Sequence, residues 1–300
     1  MNFPGAFLLI NVCTLAFNSN QGGIMLKKDK ENRKKSVVRK EQAAVLRKEK
    51  KLEKAAGRNE AFRLGERLEE KIPEKVRFAF EKAFCSAFTI IFEKGTEIIE
   101  KSYDKESLGD DYKIQNYAVQ IKGTRRELRR MNKQVQLAGM GNMAIAAAEG
   151  IVLGAFGIGL PDIVVFTGVL LKGVYETSLR YGIDYHTAAE KMFILKMMET
   201  AVSKGDEWTS LNAMVDEYME NGFNTEWSDA ELKTQIERTS RAFAVDMLLL
   251  KFIQGIPVVG ILGGIGNPVY CRKIQQYVGV KYQKRYLRAL EAEMTCRYSR

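Results

Sequence analysis

One stretch, residues 139–184, constrains the fold more than any other, because it is apolar, rich in glycine and broken once. Six glycines precede the break, at positions 139, 141, 150, 154, 157 and 159. Glycine costs about 1 kcal/mol against alanine in a water-exposed helix, so this number of glycines indicates close backbone packing. Pro161 cannot continue a helix but suits the first turn of a new one, where Asp162 meets free N–H groups. The pattern predicts a broken apolar helical hairpin whose second helix extends from Asp162 to Tyr181.

The second helix of this hairpin changes character along its length. Its first half is apolar on nearly all sides, whereas Lys172, Glu176 and Arg180 follow at i, i+4 spacing. We therefore expect burial at its start and a solvated, ion-paired edge at its end. Charges at Glu149, Asp162 and Lys172 also interrupt the apolar run. Since a membrane span needs about 20 mostly apolar residues, a buried hairpin in water is favoured, and partial membrane insertion stays open as the alternative.

A second uncharged run, twenty residues long, lies between Lys251 and Arg272. It contains five glycines and two prolines, which argue against a uniform transmembrane helix. We predict a second broken apolar hairpin in this region.

Four short motifs in these two regions resemble the EcsC family. They are Gly-Ile-Gly-Leu-Pro-Asp at 157–162, Leu-Lys-Gly-Val-Tyr-Glu at 171–176, Tyr-Gly-Ile-Asp at 181–184 and the glycine-rich run 256–270. The likeness covers about residues 75–295 and leaves residues 1–60 outside. It implies a bacterial protein of a family named for linkage to an ABC transporter, and it implies no reaction. The motif residues taken as functional candidates are Pro161, Asp162, Lys172, Tyr181 and Asp184.

The chain divides into three segments by composition. Residues 1–24 carry no charged side chain and lack both a basic start and an Ala-x-Ala cleavage site. We interpret them as a leader translated from a start codon upstream of Met25, rather than as a signal peptide. Residues 25–72 are rich in Lys, Arg, Glu and Ala, which predicts a solvated helix or a disordered arm and not a core. Residues 73–296 are the predicted EcsC-like domain.

Helical patterns account for the rest of the domain. Phenylalanines at 80, 84, 88 and 92 recur at i+4 and predict a core-facing stripe. Capping boxes at Thr187–Glu190 and Ser228–Glu231 predict helix starts, and Gly109–Asp111 predicts a loop within 103–111. Predicted helices cover 74–101, 112–136, 188–205, 206–222, 229–250 and 270–294. Since no period-two pattern competes, we predict an all-α helical bundle with two glycine-rich broken apolar hairpins and a charged N-terminal arm.

Positive charge is concentrated in three segments of a chain whose formal net charge is +10. Residues 27–54 hold 13 basic and 5 acidic side chains, residues 122–133 hold 6 and 1, and residues 272–300 hold 8 and 2. Such segments predict an anionic partner, either a lipid surface or a nucleic acid. The basic residues expected to contact it are Lys27, Lys28, Lys34, Lys35, Arg125, Arg126, Arg129 and Arg130.

Catalytic signatures are absent from the sequence. There is no phosphate-binding loop, no nucleophile elbow and no paired-histidine zinc motif, and the four cysteines lack metal-ligand spacing. No cofactor or metal is therefore expected. His186, the one histidine, is interpreted as a polar residue at a helix start, and Glu149 and Asp246 as buried carboxylates paired with Lys or Arg.

The sequence therefore favours a non-enzymatic protein at the cytoplasmic face of the membrane, attracted by its basic segments and docked by its apolar hairpins. An anionic membrane surface and a membrane-protein partner, a transporter, are the expected partners. The alternative is a hydrolase-like or small-molecule-binding helical domain with Glu149 and Asp162 in its cleft. Nucleic acid is the least favoured partner, because the basic segments lack interleaved aromatic residues before the last helix.

Overall fold

The computed structural model describes residues 6–57, 72–134, 161–253 and 268–296, without the side chains at 6–28, 94, 161–162, 251–253 and 268–270. Within these ranges every regular element is helical and no β-strand occurs, which confirms the all-α prediction. The helices are α1 (Ala6–Gly57), α2 (Glu74–Ile90), α3 (Thr96–Glu100), α4 (Lys105–Lys122), α5 (125–134), α6 (Pro161–Arg180), α7 (Ala188–Val202), α8 (Gly205–Asn221), α9 (Asp229–Ile253) and α10 (Pro268–Cys296). The first arm of the central hairpin and the predicted second hairpin lie outside the described residues.

The phenylalanine stripe of α2 faces the core, as predicted. Phe84 and Phe88 are fully buried, and the centroid of each ring lies 5.6 Å from that of Phe243 on α9. The predicted helix 74–101 is one helical rod, but a π-helical turn at Ile91–Gly95 separates α2 from α3. The Thr96 hydroxyl donates to the Ile91 carbonyl at 3.1 Å across that turn. The aromatic stripe therefore joins α2 and α9 into one layer of the core.

Helix α6 lies at the centre of the bundle, and the prediction of a solvated edge at its end is wrong. Lys172 is only 7% exposed and Glu176 only 2%, because α2, α4 and α10 pack around α6. The Lys172 ammonium donates to the Ser102 carbonyl at 2.9 Å, so the buried charge has a partner from the α3–α4 turn. Charges at i, i+4 spacing here mark polar contacts inside the bundle and not a face in water.

Helices α4 and α5 correct two predictions for the 103–136 region. The expected loop at Gly109 is helical, because the Asp104 side chain caps α4 by accepting from the Ser107 N–H at 2.9 Å. The expected continuous helix 112–136 is interrupted at Gly123, whose φ of 57° ends α4 in the left-handed region. Gln115 on α4 hydrogen-bonds Gln134 on α5, so the two helices run antiparallel.

Helix α1 is packed on one face, although its composition predicted no part in a core. Val38 and Val45 are buried against the bundle, and α1 contacts α8 and α10 along its length. Glu41 and Glu49 are buried on the same face. Residues 25–57 of the predicted arm are therefore helical, as one of the two predicted alternatives had it, and residues 29–57 are solvated only on the outer side.

A buried charge cluster fixes α1 to the bundle. The Lys281 ammonium binds both Glu49 and Asp216, with 2.6 Å to Asp216 Oδ1. The Lys284 ammonium lies 2.8 Å from Glu49 Oε2 and 2.6 Å from Asp216 Oδ2. Burial lowers the pKa of fully buried Lys281, while the two carboxylates oppose that shift. The charge cluster (Glu49, Asp216, Lys281 and Lys284) thus joins α1, α8 and α10.

Both predicted helix starts are present, but only the second has a complete capping box. The Thr187 hydroxyl accepts from the Glu190 N–H at 3.1 Å, and Ser228 and Glu231 cap each other through both backbone and side chain. The Glu190 carboxylate does not complete its box. It lies 2.7 Å from the Tyr282 hydroxyl and 2.6 Å from Arg285 Nη1, which ties the start of α7 to α10.

Replacing Gly182 with alanine is expected to destabilise the protein by more than about 1 kcal/mol, because Gly182 has a φ of 71°. A methyl group at that position would also lie 2.2 Å from Cε1 of Tyr112. Gly109→Ala is the matched control, since that glycine lies inside α4 with open space around it and should gain up to about 1 kcal/mol. Urea unfolding of the two variants measures both effects. Equal stability of Gly182→Ala and the parent would contradict the expected strain.

Replacing Glu49 with glutamine is expected to lower the free energy of unfolding by about 3 kcal/mol, because it leaves two buried ammonium groups with one carboxylate. Glu53→Gln, exposed on the same helix, should change it by less than about 0.5 kcal/mol. Urea titrations followed by circular dichroism would compare the two. A loss of the same size in both would show that helix propensity, and not the charge cluster, sets the effect.

Candidate functional site

The motif residues of α6 and of the turn after it converge on the end of α3. Tyr185 is buried there, and its hydroxyl donates to the Glu100 carboxylate and accepts from the Tyr103 hydroxyl at 2.6 Å. Its ring stacks on that of Tyr175 with 4.1 Å between centroids. We call Glu100, Tyr103, Tyr175, Tyr185 and His186 the Tyr185 cluster.

The rim of the Tyr185 cluster carries alternating charges. His186 Nε2 lies 2.8 Å from Glu100 Oε1, and His186 Nδ1 lies 2.5 Å from Asp184 Oδ1. The Lys105 ammonium lies 3.1 Å from the same Glu100 oxygen and 5.4 Å from the centre of the Tyr185 ring. Each imidazole nitrogen therefore lies within hydrogen-bond distance of a carboxylate. These contacts hold the 183–187 loop against the end of α3.

Burial and hydrogen bonding set the protonation of this cluster. Burial raises the pKa of Tyr185, and the adjacent Glu100 carboxylate raises it further, so the phenol stays protonated and donates. Burial alone would raise the pKa of Glu100, but the Tyr185 hydroxyl and the Lys105 ammonium outweigh it and hold that pKa below its ordinary value. Burial likewise opposes the lowered pKa of Asp184, which His186 produces. The arrangement stabilises two carboxylates in their charged form. It also forms a hydrogen-bonded network that joins the end of α3 to the loop after α6.

The candidate residues from the sequence lie in several different places. Tyr181 is buried, with its hydroxyl 3.3 Å from Asn132 Oδ1 on α5. Asp246 is buried and has the expected basic partners, with 2.5 Å to Lys204 Nζ and 3.8 Å to Lys273 Nζ. Pro161 and Asp162 belong to the first turn of α6, and their side chains are not described. Glu149, and with it the proposed cleft of Glu149 and Asp162, lies outside the described residues.

Sequence reasoning missed the partners that complete the site. Glu100 and Tyr103 lie 85 and 82 positions before Tyr185 in the chain, and no local pattern relates them. His186 was correctly placed at a helix start, but its two carboxylate contacts were not foreseen. The signal that was available is the position of Tyr185 and His186 directly after the 181–184 motif.

Neither a metal centre nor a membrane span is found in the described part of the chain. No three His, Cys, Asp or Glu side chains among these residues are arranged to hold a metal ion. No helix among the described residues is both long enough and apolar enough to cross a membrane.

The outer side of α1 carries a row of exposed basic side chains. The basic row consists of Arg33, Lys40, Arg47, Lys51 and Lys54. These positions fall on the face opposite Val38 and Val45, and no ion pair joins them to a carboxylate within the described ranges. From Arg33 to Lys54 the row extends about 31 Å along the helix. The basic row therefore faces outward, while the opposite face of α1 is packed against the bundle.

The eight basic residues singled out from the sequence divide into three groups. Four make polar contacts with other described residues: Lys34 with the Gln120 carbonyl, Lys35 with Glu31 of the same helix at 2.9 Å, and Arg125 and Arg129 with Glu41, at 3.4 Å for Arg129. Arg126 and Arg130 are exposed on the outer side of α5, and the side chains of Lys27 and Lys28 are not described. The helical period would have found the basic row, because its members recur at spacings of seven, four and three.

These features define an all-α protein in which the Tyr185 cluster adjoins the sequence motifs and the outer side of α1 is cationic. The chain belongs to the EcsC protein family, whose sequence pattern matches residues 37–287. The match begins within α1, well before residue 75, where the motifs alone suggested that the likeness starts. The packed face of α1 explains this difference, since residues from Val38 onward belong to the core.

A curated relative supports the same family. Protein EcsC from Bacillus subtilis (strain 168) is 28% identical over 128 residues, which cover 41% of this chain and 50% of that protein. The chain therefore spans half the length of the curated relative that it matches. No solved structure matches the chain.

Removing the Tyr185 hydroxyl is expected to reduce both stability and its dependence on acid pH. Because the folded-state pKa of Glu100 is below its ordinary value, its stabilisation is present at neutral pH and is lost as the pH falls through that pKa. Tyr185→Phe should cost about 1.5 kcal/mol at pH 7 and give a shallower loss between about pH 5 and pH 3. Thermal unfolding across that range measures both.

Tyr117→Phe provides the control, because that tyrosine is exposed on α4. Removing the Tyr117 hydroxyl should leave both the stability and the pH profile unchanged. A pH profile of Tyr185→Phe that runs parallel to the parent's would contradict a role for this hydroxyl in setting the pKa of Glu100.

Proposed function

We propose that this protein is a peripheral protein of the cytoplasmic membrane face, held there by attraction between its cationic outer surface and anionic lipid. The observation that carries the proposal is the basic row of α1. Its five exposed side chains point away from the bundle along one helix. A flat anionic surface is the partner that such a strip can contact at all positions together.

The size of the attraction is sufficient for reversible binding. Each Lys or Arg near an anionic membrane surface contributes about 1 kcal/mol, so the basic row supplies about 5 kcal/mol. Arg126, Arg130 and Lys133 on the outer side of α5 add to it. Because the Debye length is about 8 Å at physiological ionic strength, only charges that lie close to the lipid surface contribute. A soluble body can therefore be held at a membrane without a spanning helix.

Lipid is favoured over nucleic acid because the basic row has no aromatic residues beside it. Residues 33–54 contain no Phe, Tyr or Trp, so the row offers no stacking platform for bases. A phosphate backbone would be attracted by the same charges, with a similar dependence on salt. The comparison of vesicles with nucleic acid therefore belongs in the same experiment.

The family resemblance supplies a second proposed partner. The EcsC family is named for linkage to an ABC transporter, and a protein held at the inner leaflet would be positioned beside such a transporter. The proposed role is binding and not a reaction. The Tyr185 cluster fits this role as a structural element, since its carboxylate and phenol groups hydrogen-bond each other.

The test is co-flotation of the full chain with vesicles of phosphatidylcholine alone or mixed with phosphatidylglycerol. The parent should bind only the anionic vesicles. The variant Arg33→Gln/Lys40→Gln/Arg47→Gln/Lys51→Gln should bind at least tenfold more weakly, because four contributions of about 1 kcal/mol are removed. These positions are exposed, so circular dichroism should find the same fold in the variant.

The matched control removes the same four charges elsewhere. Lys75→Gln/Lys82→Gln/Lys101→Gln/Lys233→Gln changes exposed lysines that lie outside α1 and α5. It should bind the anionic vesicles nearly as well as the parent. Equal weakening of both variants would mean that net charge, and not the basic row, controls binding. Absence of vesicle binding by the parent, together with tight binding of RNA, would overturn the lipid proposal.

A further inference from the structure

Helix α4 exposes a row of large apolar side chains. Ile114, Tyr117 and Ile121 are 68%, 67% and 52% exposed, on the face opposite buried Leu108 and Val119. They make up three of the six large apolar side chains that are most exposed among the described residues. Three such side chains on one face of one helix form a patch, whereas single exposed apolar residues need no explanation. We call these three residues the apolar row.

Basic side chains lie beside the apolar row because α4 and α5 are antiparallel. The bond from Gln115 to Gln134 and the pair of Lys122 with Glu127 make α5 the neighbour of α4. The outer side of α5 carries exposed Arg126, Arg130 and Lys133. Its one carboxylate, Glu127, is half-buried and lies 3.5 Å from Lys122 of α4. The α4–α5 hairpin is therefore apolar along one helix and cationic along the other.

From this juxtaposition we infer that the apolar row inserts into the boundary between headgroups and acyl chains of an anionic bilayer, while the basic residues of α5 bind the lipid headgroups. An amphipathic surface with aliphatic and aromatic residues beside Lys and Arg is the pattern of interfacial helices. Tyrosine suits this depth, since its ring is apolar and its hydroxyl remains in the polar layer. Long basic side chains keep their charged ends at the headgroups while their stems lie along apolar surface.

The acidic start of α4 sets the orientation of insertion. Asp110 is exposed one turn before Ile114 and is paired with Lys113 at 2.8 Å. An exposed carboxylate is repelled by an anionic surface, so the end of α4 near Ile121 and Lys122 enters more deeply than its start. The turn at Gly123 then returns the chain through the basic residues of α5.

This inference rests on the proposed function and divides it into two parts. The basic row of α1 attracts the protein over a distance and is sensitive to salt. The apolar row supplies affinity that salt does not screen, because burial of apolar surface does not depend on the Debye length. The two parts can therefore be separated by one variable, the ionic strength.

The direct test places tryptophan in the apolar row. Tyr117→Trp is compared with Phe78→Trp, whose parent side chain is equally exposed, at 67%, but lies on α2. Emission is taken as the difference from the parent, which has two tryptophans. With anionic vesicles containing lipids brominated near the headgroup end of the acyl chain, the tryptophan at 117 should shift to the blue and be quenched. The tryptophan at 78 should show neither change.

The second test removes the apolar row. Ile114→Ser/Tyr117→Ser/Ile121→Ser should weaken binding to anionic vesicles at least tenfold in about 1 M salt, where the Debye length is about 3 Å. Phe78→Ser/Met214→Ser, which changes two exposed apolar residues on other helices, should bind as the parent does. All of these positions are exposed, so circular dichroism and urea unfolding should find folded proteins.

The possible results separate the two proposals. If the parent binds anionic vesicles but the triple variant binds equally well and the tryptophan at 117 is not quenched, insertion of α4 is wrong and charge-held binding stands. If the parent binds no vesicles, both proposals are wrong. If sedimentation velocity finds a parent dimer that the triple variant abolishes, the apolar row is an interface between two copies and the lipid inference is overturned.

Discussion

The four alternating charges of Glu49, Asp216, Lys281 and Lys284 are the interaction on which the outer surface depends. Helix α1 is too charged to pack on apolar contacts alone, and its buried valines are few. Two lysines of α10 neutralise both Glu49 and Asp216 of α8, so one face of α1 can be removed from water. With that inner face packed against the bundle, the basic residues opposite it form an outward-facing row about 31 Å long.

Local signals in the sequence predicted the parts of this fold that depend on local chemistry. The helix starts at Thr187 and Ser228, the phenylalanine stripe of α2 and the helical class are as expected, because each arises from residues within a few positions of one another. Two predictions failed where tertiary contacts decide. Lys172 and Glu176 are buried because three helices surround α6, and the loop expected near Gly109 is helical because Asp104 supplies a cap. Spacing alone does not distinguish a charge in water from a charge that meets a distant partner.

The candidate site was predictable to a similar extent. The 171–176 and 181–184 motifs pointed to the correct part of the bundle, since Tyr185 and His186 follow directly. Glu100 was not predictable, because it reaches Tyr185 only after the chain has folded. The basic segments were identified by composition, yet four of the eight residues named from them are held in contacts with other residues of the protein, and the exposed members of α1 were overlooked. Identifying the outer face required knowledge of the buried one.

Helix α10 joins four other helices of the bundle within a short segment. Within residues 277–286 it holds α8 through Tyr277, α1 through Lys281, the start of α7 through Arg285 and α4 through Tyr286. Lys281 and Arg285 are one turn apart, about 6 Å along a stiff rod. The contact that holds α1 and the contact that holds Glu190, just after the loop with the 181–184 motif, therefore both depend on a single turn of one helix.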